Sequence, residues 1–145
     1  MSAPHTVSDA DLEEVLHAAG LRSTRPRLQV LRFLRERGGH HSADDIQAAL
    51  DAADEHLLRG SVYNVLAKLM SRGLVMLADA GPGRALYESG TPWHHHFVCR
   101  KCDVVLDVPC LENDQPCLSS SGLPGAQIDQ AQIIFRGLCA ACAAP

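Results

Sequence analysis

Aromatic residues are scarce in this chain: one Trp, two Tyr and three Phe, 4% of 145 positions. Any core must therefore lean on Leu, Val, Ile and Ala. No apolar run approaches the ~20 residues that a membrane-spanning helix needs. The opening residues Met1-Ser2-Ala3-Pro4-His5 have neither a basic start nor an apolar stretch, which argues against a secretory signal. No cysteine occurs before position 99. These absences lead us to expect a cytoplasmic protein without a membrane partner. In that compartment thiols stay reduced, and cysteines more often bind metal than form structural disulfides.

A hydrophobic content of 46% is ordinary for a globular protein and excludes disorder throughout. The length suits one domain or two small ones, and small domains often recruit metals or a second copy of themselves. The net charge of −4 argues weakly against nucleic acid. The distribution argues the other way. Between residues 22 and 37 stand Arg22, Arg25, Arg27, Arg32, Arg35 and Arg37 against one acid, Glu36. Such a run is either a phosphate-binding face or a solvated helix face.

The first 90 residues read as helices followed by a hairpin. Ser8 with Asp11 makes a capping-box-like start, Leu12, Val15, Leu16 and Ala19 follow at helical spacing, and Gly20 stops the helix. A second helix has Pro26 in its first turn, buries Leu28, Leu31 and Leu34, and ends at Gly38-Gly39. A third starts at Ser42, with Asp45 three residues on and Ile46, Ala49, Leu50 and Ala53 inward. A fourth runs from about Gly60 to Arg72, with Val62, Val65, Leu66 and Leu69 inward and Gly73 beyond its end. Residues 74–77 and 85–87 then read as strands around Ala80-Gly81-Pro82-Gly83. This is the element order of a winged helix-turn-helix, in which the last helix enters the major groove and the hairpin lies along the backbone. Arg59, Ser61, Tyr63 and Asn64 at the start of the fourth helix, and Arg84 in the hairpin, are candidate DNA contacts. A winged helix can also serve as a bare protein-contact module.

Composition changes around 89–92, and all six cysteines follow. We expect an α+β protein: a winged-helix domain over 1–88, a hinge at 89–93 and a dimerisation and metal-binding domain over 94–145. Strands are expected over 95–99, 104–108 and 126–135, with an irregular or helical connection before the last. Cys99-x-x-Cys102 and Cys139-x-x-Cys142 are two chelating pairs with 36 residues between them. Together they complete a tetrahedral thiolate shell that suits structural Zn2+ and leaves no open position for catalysis. A thioredoxin-like redox pair would need βαβ patterning that is absent here.

A second cluster precedes the first pair, Trp93-His94-His95-His96-Phe97-Val98-Cys99. On a strand, His94 and His96 share one face and His95 takes the other. Two imidazoles are half a metal site, and Glu88, Asp107 and His40 are further candidate ligands. Three nitrogens and two carboxylates suit Fe2+ or Mn2+ without excluding Zn2+ or Ni2+. An exposed polar histidine cluster is the plain alternative.

Over about residues 9–142 the chain resembles the ferric uptake regulator family. The resemblance rests on His40-His41-Ser42-Ala43-Asp44-Asp45-Ile46, Ser61-Val62-Tyr63-Asn64-Val65-Leu66, Gly73-Leu74-Val75, Tyr87-Glu88, His94-x-His96-x-x-Cys99-x-x-Cys102 and Gly137-Leu138-Cys139-x-x-Cys142. Asp107-Val-Pro-Cys110, Pro116-Cys117-Leu118 and Asp129-Gln-Ala-Gln-Ile-Ile-Phe resemble its actinobacterial redox-linked branch, the FurA/CatR-like repressors of catalase genes. The resemblance implies a homodimeric repressor of AT-rich inverted-repeat operators in double-stranded DNA, with no small-molecule substrate. It places the regulatory metal on His40, Glu88, His94, His96 and Asp107, Tyr63 on DNA and Arg22 in a minor groove. Peroxide-sensing members usually carry Asp where Glu88 stands, which weakens the case for oxidation of ligand histidines. The histidines of a further family site would fall at Trp93 and Ala131, so that site is expected to be missing.

Cys110 and Cys117 are either a reversible redox pair or two small buried residues. Three other functions stay open. One is a nickel- or zinc-responsive regulator of metal uptake. Another is a zinc hydrolase using His94, His96 and Glu88, although no His-Glu-x-x-His motif is present. The last is a metal-storage protein, which would have no use for the Arg-rich helix.

Overall fold

The computed structural model describes residues 6–89, 94–109, 122–127 and 132–145. The chain divides into two units, Met1–Gly90 and Thr91–Pro145. Among the described residues no helix is long and apolar enough to cross a membrane.

The first unit contains α1 (Asp9–Ala18), α2 (Arg25–Arg37), α3 (Ala43–Ala52), α4 (Arg59–Ser71), β1 (Val75–Asp79) and β2 (Ala85–Ser89). Local chemistry sets the helix starts. The Ser8 hydroxyl accepts from the Asp11 N–H, and Pro26 occupies the first turn of α2. Ser42 and Asp45 form a full capping box, each side chain bonded to the other's backbone N–H at 3.0 Å. Gly20, Gly38 and Gly73 follow α1, α2 and α4 with positive φ, a conformation that costs glycine little.

Leu12, Leu16, Val30, Leu31, Leu34, Ile46, Val62, Leu66 and Leu69 are fully buried and join the helices into one aliphatic core. Val30 belongs to it as well, a position that the leucine spacing of the second helix does not mark. Leu28 is only half-buried, and Ala53, expected inward, is exposed as the C-cap of α3. The wing strands pair antiparallel, Val75 opposite Ser89 through Asp79 opposite Ala85. Both run two residues past their expected ends, and Leu74 stays outside β1. Mutual backbone hydrogen bonds between His41 and Tyr87, 2.9 and 2.7 Å, tie the stretch before α3 to β2.

The second unit contains β3 (His94–Cys99), β4 (Val105–Pro109), β5 (Ile134–Gly137) and the short α5 (Ala140–Ala143). The sheet order is β4-β3-β5, with β4 antiparallel and β5 parallel to β3. The last strand is shorter than expected from its sequence. Ala126 closes a turn on Leu123, Ala126 and Gln127 lie outside any strand, and pairing with β3 begins at Ile134. Trp93, Cys110, Cys117, Ala131 and most of the expected hinge lie outside the described residues.

Ser42→Ala removes one half of the capping box and is expected to cost about 1 kcal/mol in urea unfolding. The Ser42 backbone N–H, then its hydroxyl, holds the Asp45 carboxyl below its usual value of 3.8. That contribution to stability is complete above the unfolded value and fades as pH falls through the lower, folded one. The stability gap between the parent protein and Asp45→Asn should therefore narrow in acid. A gap that stays constant down to acid unfolding would contradict the assignment.

Candidate metal centres and nucleic-acid interface

Cys99 ends β3, Cys102 sits on the turn that follows, Cys139 caps α5 and Cys142 lies within it. The turn is tight: the Asp103 N–H donates to the Cys99 carbonyl at 3.0 Å, and Asp103 takes a positive φ of 62°. The parallel pairing of β3 with β5 brings Gly137 opposite Cys99 and delivers the second pair to the first. All four sulfur atoms lie within 4.8 Å of one another, Cys102 and Cys139 at 3.8 Å. N–H groups of Cys102, Cys139 and Lys101 point at the Cys99 sulfur and hold its thiol down at about 6. Hydrogen bonding to Cys139 and burial push Cys142 up to about 12. Four converging thiols, one of them already favoured as thiolate, fit a tetrahedral cation.

Further imidazole and carboxylate donors stand in each unit. In the first, the His41–Tyr87 pairing sets the neighbouring residues His40 and Glu88 side by side. His40 Nε2 lies 3.0 Å from Glu88 Oε2, with both side chains largely buried. In the second, His96 stands opposite Asp107 across β3 and β4, and His94 is two residues along the same face. His94 and His96 present Nε2 to the same Asp107 oxygen at 3.3 and 3.7 Å. The other face carries His95, whose Nδ1 accepts from the Ile133 N–H at 2.9 Å. Burial, then proximity to His94 and His96, lowers the His95 pKa and favours the neutral ring. Imidazoles and carboxylates in this mixture fit a divalent transition ion.

The face that bears His95, opposite to that of His94 and His96, carries an apolar row. Leu106 and Phe135 flank Phe97 in register, and Leu106 and Phe135 are 46% and 47% exposed.

In the first unit Arg59, Tyr63 and Arg84 line one cleft of about 440 Å³ between the N-termini of α3 and α4 and the wing. Ser61 is half-buried, and Asn64 is exposed on α4. Arg22 lines a different cleft at the α1–α2 connection and accepts from Arg27 Nη1 at its carbonyl, 2.9 Å away; Arg25 opens α2, exposed. The arginine run is not one free face. Arg32 pairs with Asp9, and Arg37 lies over the Phe33 ring. Sequence reasoning missed two polar partners. Asp44 faces Arg59 at 3.2 Å, and its only signal was an acid in a helix's first turn. Gln132 reaches His96 at 3.1 Å, a contact made 36 residues away with no local signature.

The sequence profile described as the ferric uptake regulator family matches residues 18–133. The transcriptional regulator FurA of Mycobacterium tuberculosis is 39% identical over 133 residues, covering 91% of this chain and 90% of that one. The ferric uptake regulator of Pseudomonas aeruginosa, solved with manganese, superposes with a TM-score of 0.71 at 27% identity, over 89% of this chain and 98% of that one. A zinc uptake regulator solved with zinc and DNA gives a TM-score of 0.66 at 26% identity, over 92% and 91%.

Proposed function

This chain belongs to the ferric uptake regulator family and is a metal-responsive, DNA-binding transcriptional regulator rather than an enzyme; from that premise we propose that one regulatory cation, Fe2+ or Mn2+, is held jointly by His40 and Glu88 of the first unit and by His94, His96 and Asp107 of the second. The observation that carries this reading is that each unit holds an incomplete ligand set. Two donors converge in one and three in the other, and neither alone satisfies an ion that takes five or six N and O ligands. Sharing the ion fixes the angle between the units. An ion that binds only one hinge state shifts the population toward that state by its differential affinity.

The four-cysteine group holds a structural Zn2+, and its binding free energy is folding free energy for the second unit. The chain acts as a homodimer. The apolar row, with Leu106 and Phe135 exposed on either side of the half-buried Phe97, supports that assignment, because an apolar sheet face of this kind is stable when a second copy covers it. Two reading heads held at the spacing of successive grooves bind an AT-rich inverted repeat in double-stranded DNA far better than two swivelling ones, since the second head binds at high effective concentration. Arg59, Ser61, Tyr63, Asn64 and Arg84 are the contacts of the reading helix and wing, and Arg22, Arg25 and Arg27 add phosphate or minor-groove contacts. Repression of oxidative-stress genes such as catalase, or of metal-homeostasis genes, follows from the resemblance to FurA-like regulators.

The direct test is fluorescence anisotropy on an AT-rich inverted repeat, with Mn2+ and with a chelator. Tight binding is expected only with the cation; equal binding in both conditions would remove the switch. His96→Ala should keep its zinc and its fold yet lose the response to Mn2+. Cys102→Ser should instead lose zinc together with ordered structure in the second unit, read by metal analysis and circular dichroism. Arg22→Ala should weaken binding and lower the slope of log K against log salt by about 1.

A further inference from the structure

The stretch entering β5 is bonded to two successive histidines of β3. The His96 N–H donates to the Ile133 carbonyl at 3.2 Å, the Ile133 N–H donates to His95 Nδ1 at 2.9 Å, and the Gln132 amide nitrogen lies 3.1 Å from His96 Nδ1. In this arrangement Gln132 donates and His96 Nδ1 accepts. The ring proton of neutral His96 then sits on Nε2, the atom that faces Asp107 at 3.7 Å. Nε2 is also the atom directed, together with His94 Nε2, at the shared carboxylate oxygen.

A cation taken by Nε2 needs that lone pair. The proton must leave Nε2, and neutral His96 must carry one on Nδ1 instead. The change is a tautomer exchange through water with no net proton released from the ring. Nδ1–H then needs an acceptor. His96 is fully buried, so a missing acceptor would leave a desolvated donor. Gln132 has both polarities on one planar group: a half-turn of its amide presents the carbonyl oxygen where the nitrogen had been.

We propose that Gln132 is a positioning residue for the regulatory cation, acting through His96: its amide donates to Nδ1 in the metal-free protein and turns to accept from Nδ1–H when Nε2 binds the ion. This rests on the reading of His96 as a ligand given above. Outer partners of this type fix the ring and raise the basicity of its ligating nitrogen, and their loss typically lowers metal affinity by about 10- to 100-fold. The amide is neutral, so its effect is graded. A carboxylate at the same place should hold Nδ1–H more firmly and strengthen binding.

The test uses the full-length, zinc-loaded protein and Co2+ as the probe, with Gln132→Met, Gln132→Glu and His96→Ala compared with the parent. Chelator competition should give Co2+ binding weakened by about 10- to 100-fold in Gln132→Met, and tighter than parental in Gln132→Glu. In the Co2+ form, proton NMR in water should show a paramagnetically shifted, slowly exchanging ring N–H. It should be absent from His96→Ala, lost to fast exchange in Gln132→Met and kept in Gln132→Glu. Parental affinity and N–H exchange in both Gln132 variants, while His96→Ala still loses Co2+, would overturn the role of Gln132 and leave the ligand set intact. Failure of the parent protein to bind any Co2+ beyond its zinc would overturn both.

Discussion

The two-residue alternation of β3 governs the chemistry of the second unit. Within six residues it sends His94 and His96 to one face and His95, Phe97 and Cys99 to the other. Register with β4 then sets Asp107 opposite His96 and Leu106 opposite Phe97. Register with β5 brings Phe135 beside Phe97 and Gly137, with the second thiol pair behind it, beside Cys99. One strand thus contributes to a ligand group, to the first thiolate and to an apolar face. A slip of one residue would exchange all three, because side-chain direction and pairing are coupled. All three histidines are buried, so a slip would strip polar rings of their partners, the Ile133 N–H for His95 and the Gln132 amide for His96.

Much of this was legible in the chain. The helices of the first unit appear in their expected order because each carries its own stop or start: Ser8, Pro26 and the Ser42–Asp45 box at the beginnings, Gly20, Gly38 and Gly73 at the ends. The Cys-x-x-Cys pairs needed only spacing, since a tight turn puts both thiols within reach of one ion. What stayed hidden was non-local. Nothing near His40 announces that His41 pairs with Tyr87, and nothing near Gln132 announces His96. The parallel β3–β5 pairing depends on a crossover that no periodicity reveals. The expected strand over 126–135 was too long because apolar content does not register the turn closed by Ala126.

The electrostatics of the first unit were also only partly readable. Six arginines in sequence leave a phosphate-binding face and a solvated helix face both open; Arg32 and Arg37 of that run are engaged within the fold, and Arg59, beyond it, faces an acid. The Arg59–Asp44 pair is exposed on both sides, so it is weak and screened by salt. Its effect is to orient a guanidinium beside Tyr63 while removing part of its long-range attraction for phosphates. In the proposed reading helix, fit therefore counts for more than bulk charge, in keeping with a chain that is acidic as a whole.

The backbone pairing of His41 with Tyr87 makes the segment bearing His40 a partial third strand of the wing. A ligand to the proposed ion is therefore anchored to the same hairpin whose tip holds Arg84. Whatever steadies the hairpin against a duplex also steadies His40 and Glu88. Linkage runs in both directions, so an occupied operator must tighten the hold on the ion by the same factor that the ion tightens the hold on the operator. For the proposed switch, the metal concentration at which the regulator leaves its operator is thus a joint property of protein and promoter, and two promoters served by one protein can switch at different thresholds.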